Sequence, residues 1–306
     1  MLLATRLRDA VLAAFVTVAG ATSALAAPGD LYVTSDAANQ CNFYLGTTGA
    51  YQNFFALLNF GVGQMSIHFG ATNNRALIGS SGGGVEEFDA TTGAYIKNYN
   101  AGGGWQWGAV YGPGNTVLIG DWATQDVRKY DATTAAFLGV LQSVPDPADM
   151  EIGPGGALWV CSFSGAKVLK LDPSNGNILG ILMLPPNSQP NDIAFNPVNN
   201  EILVTDMLAL CVYRFDGNTF APLGTFAGTG WGRPHGIAIS PYTGNVLVVD
   251  GVTCQVHEFD PTTYVELNPA FLVPGIGQKI VDLAFRPQAA TPTSNTSWGR
   301  VKALYR

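Results

Sequence analysis

The sequence predicts an all-β fold in which a unit of four short strands is repeated around the molecule. The first observation is a short apolar run that recurs six times, beginning at residues 31, 76, 117, 158, 202 and 246. Subtracting each first position from the next gives spacings of 45, 41, 41, 44 and 44 residues. The other two observations are a short apolar strand before most runs and an alternating strand after them. A period of about 40–45 residues that holds four short strands is typical of the blades of a β-propeller.

The recurring run supplies a buried strand in each unit. At residues 246–250 it reads VLVVD, and at residues 202–206 it reads ILVTD. Short, continuously apolar runs are expected for strands that are covered on both faces. The strand before the run ends in a turn, as at 237–241 (IAISP) and 193–197 (IAFNP). We therefore expect these two strands to form the inner part of each blade.

The strand after five of the six runs closes on an aspartate. These aspartates are Asp89, Asp131, Asp172, Asp216 and Asp260. Triplets such as Ala-Thr-Thr and Gly-Asn-Thr follow them, and these residues are common in turns. An aspartate in this position accepts hydrogen bonds from nearby backbone N–H groups and forms an Asx turn. We predict that these carboxylates are turn acceptors and do not bind a ligand.

The two ends of the repeated region complement each other. The run at 31–35 has no strand of its own before it, and the segment at 280–287 (IVDLAFRP) is an inner strand with no run after it. Pairing the two segments completes one blade and removes an open sheet edge. The sequence therefore predicts a six-bladed β-propeller of four-stranded antiparallel blades over residues 27–288, closed by its terminal strands.

The chain begins with features of a secretory signal peptide. Arg6 and Arg8 precede an apolar run at 10–21, and Ala-Leu-Ala follows at 24–26. This order predicts a signal peptide at residues 1–26, cleaved after Ala26, and hence a periplasmic or secreted protein. The apolar run is shorter than the roughly 20 residues that span a bilayer, so we expect no transmembrane segment. Residues 289–306 are predicted to be a linker and a C-terminal tail, which either anchors the protein or docks on outer strands.

The composition restricts the classes of partner. Charged residues make up 12% of the chain, the net charge is −7, and the sequence pI is about 4.8. An acidic protein without a basic face does not fit nucleic-acid binding, nor binding to an anionic membrane surface. The length beyond the signal peptide suits one propeller and no second domain, and we expect a monomer.

The four cysteines are Cys41, Cys161, Cys211 and Cys254, and they form no C-x-x-C pattern. An exported protein can form disulfides. However, like positions on different blades lie beyond the roughly 7 Å that a disulfide bridges. The sequence therefore predicts free thiols and leaves one pair open, Cys41 with Cys254.

One stretch resembles a known repeat. Residues 234–238 read PHGIA, residues 244–250 read GNVLVVD, and the glycine-rich segment GTGWGRP leads into them at 228–234. The chain resembles the NHL-repeat group of six-bladed, TolB-like propellers over roughly residues 30–287. The resemblance implies the fold, and a fold alone does not define a function.

Two enzyme families show local similarity. Residues 190–195 (PNDIAF) are similar to the asparagine motif of the gluconolactonase and senescence-marker-like lactonases. Those enzymes bind a divalent metal through a glutamate, an asparagine and an aspartate. The resemblance implies Asn191 as a candidate ligand of calcium or magnesium. His235 stands in place of the aspartate, and no Glu-Gly-Pro motif lies near the start of the chain.

The second family is the streptogramin B lyases. Residues 152–160 (IGPGGALWV) and 163–168 (FSGAKV) resemble its repeat. The resemblance implies His235, in PHGI at 234–237, as the candidate catalytic, proton-moving group. That family is seven-bladed, and its acidic residue after the tryptophan strand is replaced here by Cys161-Ser162.

Aligning the inner strands at their first residues predicts a site at the channel mouth. The side chains that we expect to form this pocket are Asn191, Asp192, His235, Arg233, Trp107 and Trp231. Aromatic walls with a few convergent polar groups are typical of small-ligand sites. The alternative is that His235 and Asn191 satisfy backbone groups around the channel. The remaining histidines, His68 and His257, lie within strand patterns and are expected to be structural.

Two functional hypotheses follow. The first is an exported binding or recognition protein that takes a small molecule or a protein partner at the propeller mouth. The alternative is a metal-dependent lactone hydrolase or a lyase-like enzyme at the same mouth, with a divalent cation held at Asn191 and His235 as the base.

Overall fold

The computed structural model describes residues 27–37, 39–59, 63–100, 104–274 and 279–287. The predicted signal peptide at 1–26 and the predicted tail at 289–306 lie outside the described residues. Within the described ranges the chain forms 24 β-strands and one 3-10 turn at Pro154–Gly156, so the protein is all-β. This part of the chain holds no helix that is long and apolar enough to cross a membrane.

The strands are short and follow one another at the predicted spacing. In chain order they are β1 (Leu31–Ser35), β2 (Gln40–Tyr44), β3 (Tyr51–Leu57), β4 (Gln64–Phe69), β5 (Arg75–Ser80), β6 (Val85–Asp89), β7 (Tyr95–Tyr99), β8 (Gln106–Gly112), β9 (Thr116–Asp121), β10 (Asp126–Asp131), β11 (Phe137–Ser143), β12 (Pro147–Ile152), β13 (Leu158–Ser162), β14 (Lys167–Leu171), β15 (Ile178–Met183), β16 (Pro190–Asn196), β17 (Glu201–Asp206), β18 (Cys211–Asp216), β19 (Pro222–Phe226), β20 (Pro234–Ile239), β21 (Val246–Asp250), β22 (Gln255–Phe259), β23 (Glu266–Leu272) and β24 (Ile280–Phe285).

The described strands form four four-stranded antiparallel sheets and one eight-stranded sheet in a propeller-like arrangement. The four-stranded sheets are β12–β15, β16–β19, β20–β23, and one in which β24 precedes β1, β2 and β3. The eight-stranded sheet differs from the predicted separate blades. It consists of the meanders β4–β7 and β8–β11, joined by the single residue pair Ser80 and Gln106. The reason is local, because the first residue of β8 reaches the last residue of β5.

The sheet of β24, β1, β2 and β3 is assembled from both ends of the described chain. Strand β1 is antiparallel to β24, with Leu31 opposite Phe285 and Val33 opposite Leu283. The backbone N–H of Asp282 also donates to Thr34 Oγ1 at 3.1 Å.

The core lies between neighbouring sheets. The central runs are buried throughout, as β9 and β17 show. One apolar cluster joins Trp159 and Val168 of one sheet to Ile193 and Phe215 of the next. Burying apolar area in this way contributes about 25 cal/mol per Å². The four cysteines are free thiols, as predicted, with Cys41 and Cys161 buried and the other two partly buried.

Two sets of aspartates stabilise turns and loops. The five predicted Asx-turn residues each accept at least one backbone N–H two or three residues on, so the predicted turn hydrogen bonds are confirmed. At the ends of buried runs, Asp206 and Asp250 accept backbone N–H groups from the loop before their own sheet.

The outermost strand of each four-strand meander is irregular. Register shifts interrupt its pairing with the third strand in all six meanders of the described chain. Several of these outer strands also expose apolar side chains, among them Phe137 on β11 and Met183 on β15.

Candidate functional site

Six strands surround a central cavity of about 650 Å³. They are the first strands of the six meanders, β4, β8, β12, β16, β20 and β24. The fifth and sixth residues of every one of these strands line the cavity. It therefore lies toward the ends of these strands, and its rim includes the exposed residues Ala71, Thr72 and Pro287.

The cavity has two unlike halves. On three adjacent strands the fifth residue is an alanine, namely Ala194, Ala238 and Ala284, and a methyl group leaves the space free. On β4 and β12 the fifth residue is polar, His68 and Glu151. The sixth residues add aromatic rings to the wall, and these are Phe69, Tyr111, Phe195 and Phe285.

Two buried carboxylates reach the cavity floor. Asp192 Oδ2 accepts the N–H of Ile237 at 2.7 Å, and Asp282 Oδ2 accepts the N–H of Ile67 at 2.8 Å. Each side chain therefore ties its strand to the first strand of a neighbouring meander. Burial raises the pKa of both carboxyl groups well above the ordinary value, and the charge of the nearby Asp149 adds to this effect.

A glycine makes the approach of one carboxylate possible. A Cβ atom on Gly236 would lie 2.4 Å from Asp282 Oδ1. Any larger residue at this point of the PHGIA motif would displace the carboxylate.

His68 on β4 reaches past β8 and pairs with two acidic side chains on β12. Its Nε2 lies 2.7 Å from Asp149 Oδ1, and its Nδ1 lies 3.4 Å from Glu151 Oε2. Burial alone would lower the pKa of this imidazole, but Asp149 and Glu151 together raise it well above its usual value. The two carboxylates therefore favour the imidazolium form of His68.

His68, which its strand pattern predicts to be structural, is the fifth residue of β4. Aligning the first strands of the meanders at their fifth residues places His68 and Glu151 in one ring.

His68, Asp149 and Asp282 form a group that could hold a metal ion. One ligand atom from each lies within 4.8 Å of the others. Asn191, the candidate ligand from the lactonase resemblance, precedes Asp192 on β16 and is not a member of this group.

Asn191 and His235 are both buried near the first residues of β16 and β20. Within the described part of the chain, Asn191 Oδ1 and His235 Nδ1 have no hydrogen-bond partner. Burial lowers the pKa of His235 to about 4, helped by the positive charges of Lys279 and Arg233. The imidazole is therefore neutral at physiological pH.

The structure does not bring the other predicted site residues into the cavity. Trp231 is buried in the core, where its Nε1 donates to the Leu210 carbonyl at 2.9 Å and its ring packs against His257. Arg233 is exposed on the loop before β20. Trp107 is half-buried and packs against Trp122, with ring centroids 4.6 Å apart.

Of the six side chains in the predicted pocket, Asp192 is the one that lines the described cavity. The expectation for His257 agrees with its surroundings, since it is fully buried and its Nδ1 lies 2.6 Å from Glu266 Oε1.

Comparisons with known proteins identify the fold. No protein-family model matches the chain, and no curated protein matches it. A chain in the crystal structure of a nidogen/laminin complex is similar, with a TM-score of 0.71 and 13% identity over 84% of this chain and 98% of that chain. A protein of unknown function from Bacteroides caccae has a TM-score of 0.63 and 16% identity over the same shares. At these identities the likeness shows the fold alone, and the chain has a β-propeller fold.

Proposed function

We propose that this protein is an exported recognition propeller that binds a small molecule in its central cavity. The observation that carries the proposal is the cavity itself. Its volume of about 650 Å³ lies within the 300–1,000 Å³ range of known ligand pockets. Apolar and aromatic walls with a few polar groups at the floor are the composition that such pockets have.

The proposal includes six blades in a closed ring, of the NHL or TolB-like kind. Two facts support it: the eight-stranded sheet divides into two meanders, and each first strand contacts the first strand of the next meander, with β24 against β4. The residues at 1–26 support export, because their charge and apolar pattern is that of a signal peptide.

Filling the cavity tests the proposal. Ala238→Leu adds a branched side chain inside the cavity, and Ala221→Leu adds the same atoms at an exposed site away from it. We expect that some small molecules raise the unfolding temperature of the wild type and of Ala221→Leu. The same molecules should leave the unfolding temperature of Ala238→Leu unchanged. Ligands that stabilise all three proteins equally would show that the cavity is not the binding site.

A protein partner at the opposite mouth is the other form of the recognition hypothesis. Trp105 is 53% exposed and packs against Trp122, which in turn contacts Trp107. Exposed tryptophans anchor many protein interfaces. The similar chain from the nidogen/laminin complex gives this form a structural precedent. If laminin-like or other purified candidates bind, Trp105→Ala should weaken that binding and leave small-molecule binding unchanged.

The metal-dependent hydrolase or lyase remains a second candidate function. It is favoured by the mixed nitrogen and oxygen ligand group of His68, Asp149 and Asp282. His235 Nδ1, which has no hydrogen-bond partner among the described residues, supports the role of a proton acceptor. Calcium, magnesium and zinc titrations by calorimetry test it. Stoichiometric binding that is lost in Asn191→Ala supports the resemblance to lactonases, whereas loss in Asp149→Ala instead supports the His68 group.

A further inference from the structure

We infer that the ligand of the central cavity is a small organic cation, an amine with an apolar body. This inference rests on the proposed small-molecule function and adds the ligand's charge and shape. The cavity wall carries three acidic side chains, Glu151, Asp192 and Asp282, and one basic side chain, His68. Among the described residues that line the cavity there is no lysine or arginine.

The positive charge of His68 is already matched. Its Nε2 is hydrogen-bonded to Asp149, which lies below the cavity wall. The carboxyl groups of Asp192 and Asp282 on the floor have only this one imidazole near them, and Asp149 and Glu151 share it. A buried carboxylate without a cation is costly to ionise, and a bound ammonium group removes this cost.

The floor carboxylates can accept further hydrogen bonds. Each oxygen of Asp192 and Asp282 accepts one backbone N–H, at 2.6 to 2.8 Å. A carboxylate oxygen has two acceptor positions, so one remains on each oxygen for an N–H of the ligand. The backbone bonds also hold both carboxylates in place before the ligand arrives.

The walls and the volume exclude a bare ion as the full occupant. A single ion or ammonium would leave most of about 650 Å³ to water. The alanine half, formed by Ala194, Ala238 and Ala284, offers apolar space for a ring or alkyl group. The rings of Phe69, Tyr111, Phe195 and Phe285 are electron-rich walls, and aromatic faces attract organic cations.

A matched set of three probes tests the inference. Benzylamine, benzyl alcohol and benzoate share one ring and differ in the charge of the attached group. By calorimetry at pH 7 we expect benzylamine to bind at least about tenfold more tightly than benzyl alcohol. We expect no binding of benzoate, because the acidic side chains of the wall offer an anion no free cation.

Two variants identify the charges responsible. Glu151→Gln removes one rim carboxylate, and Asp192→Asn removes one floor carboxyl group that can pair with an ammonium group. We expect both to weaken benzylamine several-fold and to leave benzyl alcohol unchanged. Asp36→Asn is the control, because this acid pairs with Lys279 at 3.1 Å and is not among the residues that line the cavity. If Asp192→Asn does not fold, Glu151→Gln carries the test, since its side chain is 41% exposed.

The outcomes separate this inference from the proposed function. Equal or tighter binding of the alcohol or of benzoate, abolished by Ala238→Leu, would overturn the cationic ligand and leave the cavity as the binding site. Benzylamine binding that survives Ala238→Leu would overturn both. If benzylamine does not bind to folded wild-type protein, the inference of a cationic ligand is wrong. The thermal screen with Ala238→Leu then tests whether the cavity binds any small molecule.

Discussion

At the scale of single residues, His68 is notable because its charged partners lie far from it in the sequence. It lies on β4, yet its partners Asp149 and Glu151 lie on β12, with β8 between them. A buried charge pair of this kind rarely adds much net stability, but removing one partner leaves the other unpaired. Substituting either His68 or Asp149 should therefore destabilise the fold.

We expect His68→Ala to lower the free energy of unfolding by about 3 kcal/mol near pH 6, because it leaves the buried Asp149 without a cation. The pKa of His68 is raised in the folded state, so its contribution is complete below the unfolded value of about 6.5 and is lost as the pH rises through the folded value. Urea unfolding from pH 5.5 to 10 measures this. A deficit that grows toward alkaline pH would contradict the charged pair.

His235 should show the opposite pH dependence. Its folded pKa is lowered to about 4, so between pH 4 and about 6.5 the unfolded chain binds more protons than the folded chain. Wild-type stability therefore falls by up to roughly 3 kcal/mol as the pH decreases through this window. His235→Gln should reduce that fall. Identical acid profiles for wild type and His235→Gln would show that folding does not lower the pKa of His235.

The candidate site could be predicted in part from the sequence. Asp192 and Asp282 share one register position on repeated strands, so aligning the repeats brings them together. The partnership of His68 with Asp149 depends on a side chain that crosses the channel, and no local pattern encodes that reach. Trp231 lies in the glycine-rich segment at 228–234 and is predicted to form part of the pocket, but its indole packs in the core.

At the scale of elements, the end of each buried run is tied to the loop that precedes its sheet. Asp250 closes β21 and accepts the N–H groups of Gly232, Arg233 and Val252 as well as the hydroxyl of Thr253. Burial raises the pKa of Asp250, but these hydrogen bonds outweigh burial, so the pKa is lowered. The short strand and the loop before β20 are thereby held as one element.

Asp250→Ala should lower the free energy of unfolding at pH 7 by about 3 kcal/mol, because three N–H donors lose their acceptor. The lowered pKa means that the wild-type contribution is present above the unfolded value of 3.8 and disappears as the pH falls through the folded value. The difference between wild type and variant should therefore shrink below pH 3. Asp36→Ala, at a partly exposed carboxylate, is the control. An equal loss for both variants at pH 7 would mean that general charge, and not hydrogen bonding, is responsible.

At the scale of the whole molecule, the propeller-like arrangement followed from local signals. The spacing of apolar runs identifies the repeated unit, since each unit must cover its apolar faces with its neighbours. The single bridge between Ser80 and Gln106 could not be predicted, because one hydrogen-bonded pair leaves no trace in apolar periodicity. The position of the cavity along the channel follows from which strand positions carry alanine, and the repeat spacing alone does not give it.

Because β1 pairs with β24, we expect substitutions on these two strands to be energetically coupled. Val33 lies opposite Leu283, and both belong to one apolar cluster. In a double-mutant cycle, Val33→Ala and Leu283→Ala should show an interaction energy of about 0.5–1 kcal/mol. Val33→Ala combined with Val117→Ala, in a different cluster, should be additive. Additivity in both pairs, measured by denaturant unfolding, would indicate that the terminal strands do not pair in solution.

The irregular outer strands have a consequence for the protein at high concentration. Ile178, Leu179 and Met183 on β15 are each more than half exposed, at 51%, 57% and 63%. On a regular edge strand, such exposed apolar residues favour the addition of a strand from a second molecule. The register shift between β14 and β15 breaks the even row of N–H and C=O groups that such an addition requires. The register shift therefore opposes strand pairing between neighbouring molecules at high protein concentration.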